Sequence, residues 1–350
     1  MSPQPYSHNV YIDPSSTAYY QDRLFDISDP RLNRDDTLLP FLKIKNRLEE
    51  SGAKVHTADR LVSQQQAESA GECTADYYSL GVLDNYKRLV GRPGVSLRAF
   101  VIFEPPVVDP RPYRALPALT KAFDEVYAHN TTGDGYSLEG VDVSKMRKLY
   151  WPQPREDVME IHWSRQDRLD RLVVINGNHI PCRVPNELYS RRIETMAGLA
   201  ELNAVDLYGR GWERWWSRSS MWWPYWKHRR ALMSIYKGAC DSKYEVLGQY
   251  KFSLCFENMS MRGYVTEKIF DCFYAGTIPI YLGATDINAL VSSKAFIDYR
   301  HFPDYRSLIE HLGRMTDNEL QRMRDAGREF IRSENGLRHT RSLNSIFGLA

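Results

Sequence analysis

The tightest constraint on the fold lies between Lys251 and Gly283, where two short apolar runs, KFSLCFE and TIPIYL, flank a segment with room for about ten helical residues. Neither run alternates apolar with polar residues, so each reads as a strand covered on both faces. A strand, a helix and a strand of this length make a right-handed βαβ unit, with Gly276 ending the helix.

The same rhythm recurs upstream. Phe41 to Arg60 reads as a helix closing at Gly52 and a strand over Ala53 to Thr57. A helix is predicted over Tyr77 to Val90, and a buried strand over Ser96 to Phe103 ends at Glu104. The prolines of the following EPPVVDPRP forbid both helix and ladder. A helix near Ala118 to Phe123, a strand over Glu125 to Ala128 and a loop over Asn130 to Gly140 complete the first half. Trp151 to Arg168 is polar, bears prolines and reads as a linker, so the expected domains are residues 1–165 and 166–350. The second half holds a strand over Arg171 to Asn176, a helix over Leu188 to Leu202, a strand over Val205 to Tyr208 and the βαβ unit. Two such α/β halves would leave a cleft at the carboxyl ends of their parallel sheets, a common nucleotide site.

Composition bounds the function classes. A chain of 350 residues with 43% hydrophobic and 26% charged residues is an ordinary folded protein. Its net charge of +2 gives no reason to expect nucleic acid as a partner, so an anion site must be local. Five cysteines without CxxC spacing read as core thiols. The N-terminus has neither a basic start nor an apolar core, and no run of eighteen apolar residues occurs. The expectation is a cytoplasmic protein, or one from which a membrane anchor has been removed.

Within the βαβ unit, the strand delivers Glu257 and Asn258 to a loop, Gly263 permits a close backbone approach, and Tyr264, Glu267 and Lys268 fall in or beside the first helical turn. Free amides and the positive dipole end gather there and favour a phosphate. Lys268 adds a point charge, and a carboxylate such as Glu267 can accept from two ribose hydroxyls. The plainer reading makes Glu267 first-turn charge and Lys268 an exposed helix residue.

The strings YKFSLCFEN, GYVTEKIFD and GTIPIYLGA resemble the donor-binding core of family 10 glycosyltransferases, the α1,3/α1,4-fucosyltransferases. The likeness is strong from Tyr250 to about Asp298. It is weaker over DLYGRG, YKG and VVIN with LYSRRI, and in the first half rests on FEPPVVDP alone. It implies a GT-B fold of two facing Rossmann-like domains with a cleft between them, the first binding acceptor and the second a GDP-sugar. It also implies inverting, metal-independent transfer of fucose from GDP-fucose to a GlcNAc- or glucose-containing oligosaccharide or glycoconjugate.

Position by position, Tyr264, Glu267 and Lys268 match the residues that hold GDP, and Asn258 beside them joins the donor-binding set. Arg192 matches an arginine that contacts the diphosphate, with Arg191 adjacent should the register slip by one. Glu104 is the candidate general base and Asp109 its backup, because EPPVVDP departs from the family where many relatives have a serine after the glutamate. A metal could replace the cations, but Asp-x-Asp is absent, and its nearest match, Asp317 to Glu319, lies in a charged helix. The histidines lack HxxxH spacing, so no metal is expected.

Residues 212–230 depart from the family by carrying Trp215, Trp216, Trp222, Trp223 and Trp226 followed by Lys227, His228, Arg229 and Arg230. They admit an acceptor-stacking lid, a peripheral membrane patch, or plain packing or a dimer contact. Residues 336–350 suggest a short tail helix without assigned function. Two rival functions stand: a same-fold transferase with another nucleotide-sugar donor, and a catalytically silent glycan- or nucleotide-binding module.

Overall fold

The computed structural model describes residues 8–63, 74–214 and 222–349. The chain divides into two compact units, Met1–Pro154 with Thr340–Ala350, and Arg155–His339. Each is an α/β unit built on a parallel sheet.

In the first unit the strands are β1 (Asn9–Asp13), β2 (Lys54–Thr57), β3 (Ala75–Ser79), β4 (Val95–Val101), β5 (Glu125–Ala128) and β6 (Met146–Lys148). They pair in the order β2-β1-β3-β4-β5-β6. Successive residues of one strand enter opposite cores. Val10 and Ile12 pack with Ile44 and Leu48 of the Leu39–Glu50 helix, while Tyr11, Tyr77 and Phe100 pack with Leu116 and Leu119 of the Leu116–Ala122 helix. Both sheet faces are therefore covered, as unbroken apolar strands require.

The helix expected over Tyr77 to Val90 does not form as a unit. Ala75–Ser79 is a strand buried at every residue and paired with β1 and β4, and only Tyr86–Leu89 is helical. Two adjacent tyrosines suit a pleated interior, and pairing on both edges overrides local helical spacing. Strand β4 ends at Val101, so Glu104 stands in the turn beyond it.

The second unit orders its strands β11-β10-β9-β7-β8. These are β7 (Leu169–Ile175), β8 (Val205–Tyr208), β9 (Tyr250–Phe256), β10 (Ile278–Leu282) and β11 (Ile297–Asp298). The predicted βαβ unit is present: β9 and β10 pair in parallel, and the Glu267–Ala275 helix joins them. Val173, Cys255 and Tyr281 face that helix's core, whereas Leu172, Val174, Leu254 and Ile280 face the core of the Tyr189–Glu201 and Trp223–Ile235 helices.

The division departs from a single cut at residue 165 in two places. Residues 155–165 belong to the second unit, because Tyr274 Oη donates to the Arg155 carbonyl at 2.8 Å and Met159 N to the Tyr274 carbonyl at 2.9 Å. The tail helix Ser342–Ile346 belongs to the first, where Leu343, Ile346 and Phe347 enter the core and Phe347 lies 4.3 Å from the Tyr78 ring. Apolar residues at helical spacing made that tail adhesive, but which core they join is a tertiary matter.

Candidate functional site

The site is organised by a residue with no assigned sequence role. Glu257 follows the last residue of β9 and is wholly buried, with its backbone N donating to the Leu282 carbonyl at 2.8 Å. Its carboxylate accepts from Thr266 N at 2.9 Å, Thr266 Oγ1 at 2.8 Å and Lys268 Nζ at 3.2 Å. Thr266 is the N-cap of the Glu267–Ala275 helix, so one buried carboxylate fixes that helix start against the strand end. Gly283 leaves room for this: a Cβ there would stand 2.5 Å from Glu257 Cγ.

Lys268 turns inward rather than lying on a solvated face. Its ammonium also donates to Thr266 Oγ1 at 2.9 Å and Glu267 Oε1 at 3.4 Å. Burial alone would lower its pKa, but Glu257 and Glu267 outweigh that and the group is held above the ordinary lysine range. Burial would raise the Glu267 carboxyl, yet Lys268 and Lys243 hold it below the ordinary range. The helix start therefore carries a fixed cation.

Arg192 brings a second. It sits near the start of the Tyr189–Glu201 helix, 3% exposed, with its guanidinium 5.2 Å from the Tyr189 ring centre. Nη2 donates to the Phe256 and Glu257 carbonyls, both at 2.8 Å, and reaches Asn258 Oδ1 at 3.4 Å. Burial pushes its pKa down, against the pull of Tyr189 and Glu257. Its buried Nε has no hydrogen-bond partner. Arg191, one residue away, points outward over the Tyr299 ring at 5.7 Å.

Arg192, Asn258, Glu267 and Lys268 thus converge on the end of β9. Tyr264 sits in the same cluster but is buried to 1% exposure, its carbonyl accepting from Tyr281 Oη at 3.4 Å. It braces the loop from within the core rather than standing open to a ligand.

A cavity of about 150 Å³ opens beside Lys268 and Glu267, its wall including Asn176 and Gly177 after β7 and the ion pair of Lys243 and Asp271 at 2.5 Å. Typical ligand pockets hold roughly 300–1,000 Å³, so it suits a fragment such as a ribose or phosphate group. Asn176, Lys243 and Asp271 escaped the sequence reading because each is a lone polar residue until the fold gathers them. Of the five cysteines, Cys240, Cys255 and Cys272 are buried, Cys182 is half-buried, and Cys73 lies outside the described residues. Burial and the neighbouring Cys272 push the Cys255 thiol well up.

Glu104 and Asp109 belong to the first unit. Glu104 is exposed, and its backbone carbonyl accepts from Tyr113 Oη at 3.1 Å. Asp109 takes both arms of the Arg111 guanidinium, at 2.9 and 2.8 Å, and the Arg111 backbone N at 3.0 Å. Burial would raise its pKa, but these bonds hold it below the ordinary carboxylate range, which makes it the poorer base. A further carboxylate, Asp13 at the end of β1, is wholly buried between Tyr77, Asn85 and Tyr20 hydrogen bonds, and burial pushes its pKa up.

Glu319, the nearest approach to an Asp-x-Asp acid, is a capping-box partner of Thr316. Among the described residues, no group of three or more His, Cys, Asp or Glu could hold a metal ion.

A family model described as "Glycosyltransferase family 10 (fucosyltransferase) C-term" matches residues 182–324, a span that contains Arg192, Asn258, Tyr264, Glu267 and Lys268. An "Alpha-(1,3)-fucosyltransferase FucT" of Helicobacter pylori is 42% identical over 71 residues, 20% of this chain and 15% of that protein. An "Alpha-(1,3)-fucosyltransferase 4" of Bos taurus is 42% identical over 69 residues, 19% of this chain and 17% of the other. The aligned chain thus spans less than a fifth of each of these two relatives' lengths. An "alpha-glucosyltransferase in complex with UDP and a 13-mer DNA containing a HMU base" shares the fold, with a TM-score of 0.57, 9% identity and coverage of 97% of this chain and 99% of that one. The segment that builds the cation cluster, residues 182–324, is thus the part of this chain that is similar to glycosyltransferase family 10.

Proposed function

We propose that the protein transfers fucose from GDP-fucose to a hydroxyl of a GlcNAc- or glucose-containing glycan, in α1,3 or α1,4 linkage, with inversion and without a metal. The observation that carries this reading is the pair of cations at the end of β9: half-buried Lys268 held charged by Glu257 and Glu267, and buried Arg192 with an unpartnered Nε. Two fixed cations beside a helix N-terminus suit a leaving diphosphate, whose developing charge they would stabilise without reorganising. In that reaction the acceptor oxygen forms the new bond to the sugar C1 and its proton passes to Glu104. The bond from C1 to the β-phosphate oxygen breaks, and GDP departs with the electron pair. Glu267 is suited to accept from the ribose hydroxyls, and Asn258 to orient Arg192.

The printed names of the relatives support fucose and GDP as donor parts, and those that name a linkage give α1,3 or α1,4. Another reading of the acceptor is favoured by relatives called "GDP-fucose protein O-fucosyltransferase 3", which are 35% identical over about a fifth of this chain. The test is calorimetric titration with GDP and UDP, followed by a donor and acceptor screen including glycans and peptides, with and without a chelator. GDP binding, turnover of GDP-fucose and indifference to the chelator are expected. Preference for UDP would move the chain to another donor, and GDP binding without turnover of any sugar would make it a silent module.

A further inference from the structure

We infer that the outward face of the Trp223–Ile235 helix docks this protein on an anionic lipid surface. The helix has two distinct faces. Tyr225, Leu232 and Ile235 are buried in the second unit's core, and Tyr225 Oη donates to the Trp212 carbonyl. Trp212 is itself buried, and its indole Nε1 donates to the Asn176 carbonyl at 2.7 Å. The helix is therefore a fixed platform.

Its other face carries Trp223, 74% exposed, and Trp226, 37% exposed, with Lys227, Arg230 and Ser234 exposed on the same stripe. Spacings of three and four set these side chains in one row along the axis. The helix contains Lys227, Arg229 and Arg230 and no acid, whereas the whole chain nets only +2. The helix is thus a local positive element on a nearly neutral chain.

Indoles in water beside flexible cations suit the boundary between headgroups and acyl chains. The ring body leaves water there, the indole N–H keeps polar partners, and Lys and Arg stems lie along the surface with their charges in the headgroup layer. Each cation near an anionic leaflet contributes roughly fivefold in partition, and the gain falls off with salt. A two-fold contact with a second copy would set Lys227 and Arg230 against their own images, which disfavours self-association. A glycan-stacking role would call for carboxylates or amides beside the rings to meet sugar hydroxyls, and the Trp223–Ile235 sequence has none. The platform also touches the candidate site, because Asn176, which anchors Trp212, lines the cavity beside Lys268. This proposal does not depend on the identity of the donor.

The test uses the full chain and vesicles of phosphatidylcholine, alone or with about a third phosphatidylglycerol. Sedimentation with the anionic vesicles, loss of binding in roughly 0.5 M salt and a blue shift of tryptophan fluorescence are expected. Lys227→Glu with Arg230→Glu should weaken partition by about tenfold or more, and Trp223→Ser with Trp226→Ser should weaken it comparably. Thermal unfolding of each variant serves as the fold control, and single substitutions replace any pair that fails to fold. Absence of binding by the unaltered chain, equal binding to neutral vesicles, or variants that bind as well as the parent would overturn the proposal. Loss of dimerisation or of acceptor affinity in these variants, without lipid binding by the parent, would overturn it equally.

Discussion

At the scale of residues, the chemistry turns on Glu257, which does not itself touch solvent. Replacing it with Gln removes the charge that holds Lys268 and leaves the ammonium with Glu267 alone. Glu257→Gln should therefore lower unfolding stability by about 3 kcal/mol in urea titration, the usual cost of breaking a buried pair. The pH dependence follows from the two shifted groups. Lys268 is raised, so its contribution is complete below the unfolded lysine pKa and is lost as pH rises through its higher folded value. Glu267 is lowered, so its contribution is present above the unfolded carboxylate pKa and is lost as pH falls through its lower folded value. The contribution of these two groups to unfolding stability should thus stay flat between about pH 5 and pH 10, and a series of urea titrations in which it breaks near neutrality would contradict this pairing. In the first unit, Glu104→Gln should cut turnover roughly a hundred- to ten-thousandfold while leaving GDP affinity intact, the range expected for a lost base. Asp109→Asn should leave turnover nearly unchanged, since Asp109 is committed to Arg111.

At the scale of elements, the Glu267–Ala275 helix is fastened at its start by the buried Glu257 and at its end by the half-buried Arg168. At its C-terminus Gly276 takes a left-handed φ of 71°, and Arg168 donates to the Ala275 carbonyl at 2.8 Å and the His162 carbonyl at 2.7 Å. A Cβ on Gly276 would stand 2.9 Å from both Arg168 Nη2 and Trp163 Cδ1. Gly276→Ala should therefore cost about 1–3 kcal/mol, from left-handed strain and displacement of the guanidinium, and the loss is measurable by thermal unfolding. The helix stop was legible as a glycine between a helical run and an apolar strand. The arginine that completes it was not, because Arg168 looked like one charge in a polar linker. The strand Ala75–Ser79 was misread for a related reason: its five residues carry no signal that separates a central strand from a helix start until β1 and β4 pair with it.

At the scale of the molecule, the chain makes one unit, then the other, and returns. The closing helix supplies Leu343, Ile346 and Phe347, each at most 5% exposed, to the core that also holds Val10, Ile12 and Tyr78. Ending the chain after Thr340 should destabilise the first unit by several kcal/mol, since each large buried side chain removed typically costs about 2–5. Hydrogen exchange would then quicken in β1 and β3, while GDP affinity in the second unit stays within about twofold of the parent. Equal slowing of exchange in both chains would show the tail to be dispensable.

By itself the sequence determined the strand, loop, helix and strand over residues 250–282, the parallel α/β class, and the presence of cations at one helix start. Those features are local, since apolar runs, a capping threonine and a terminating glycine act within a few residues of one another. The tertiary structure decided that Lys268 and Arg192 face inward, that Glu257 joins them, that the linker packs on the helix and that the tail enters the first core. Each of these depends on which distant segment covers which face, and burial then converts ordinary surface charges into a fixed electrostatic site.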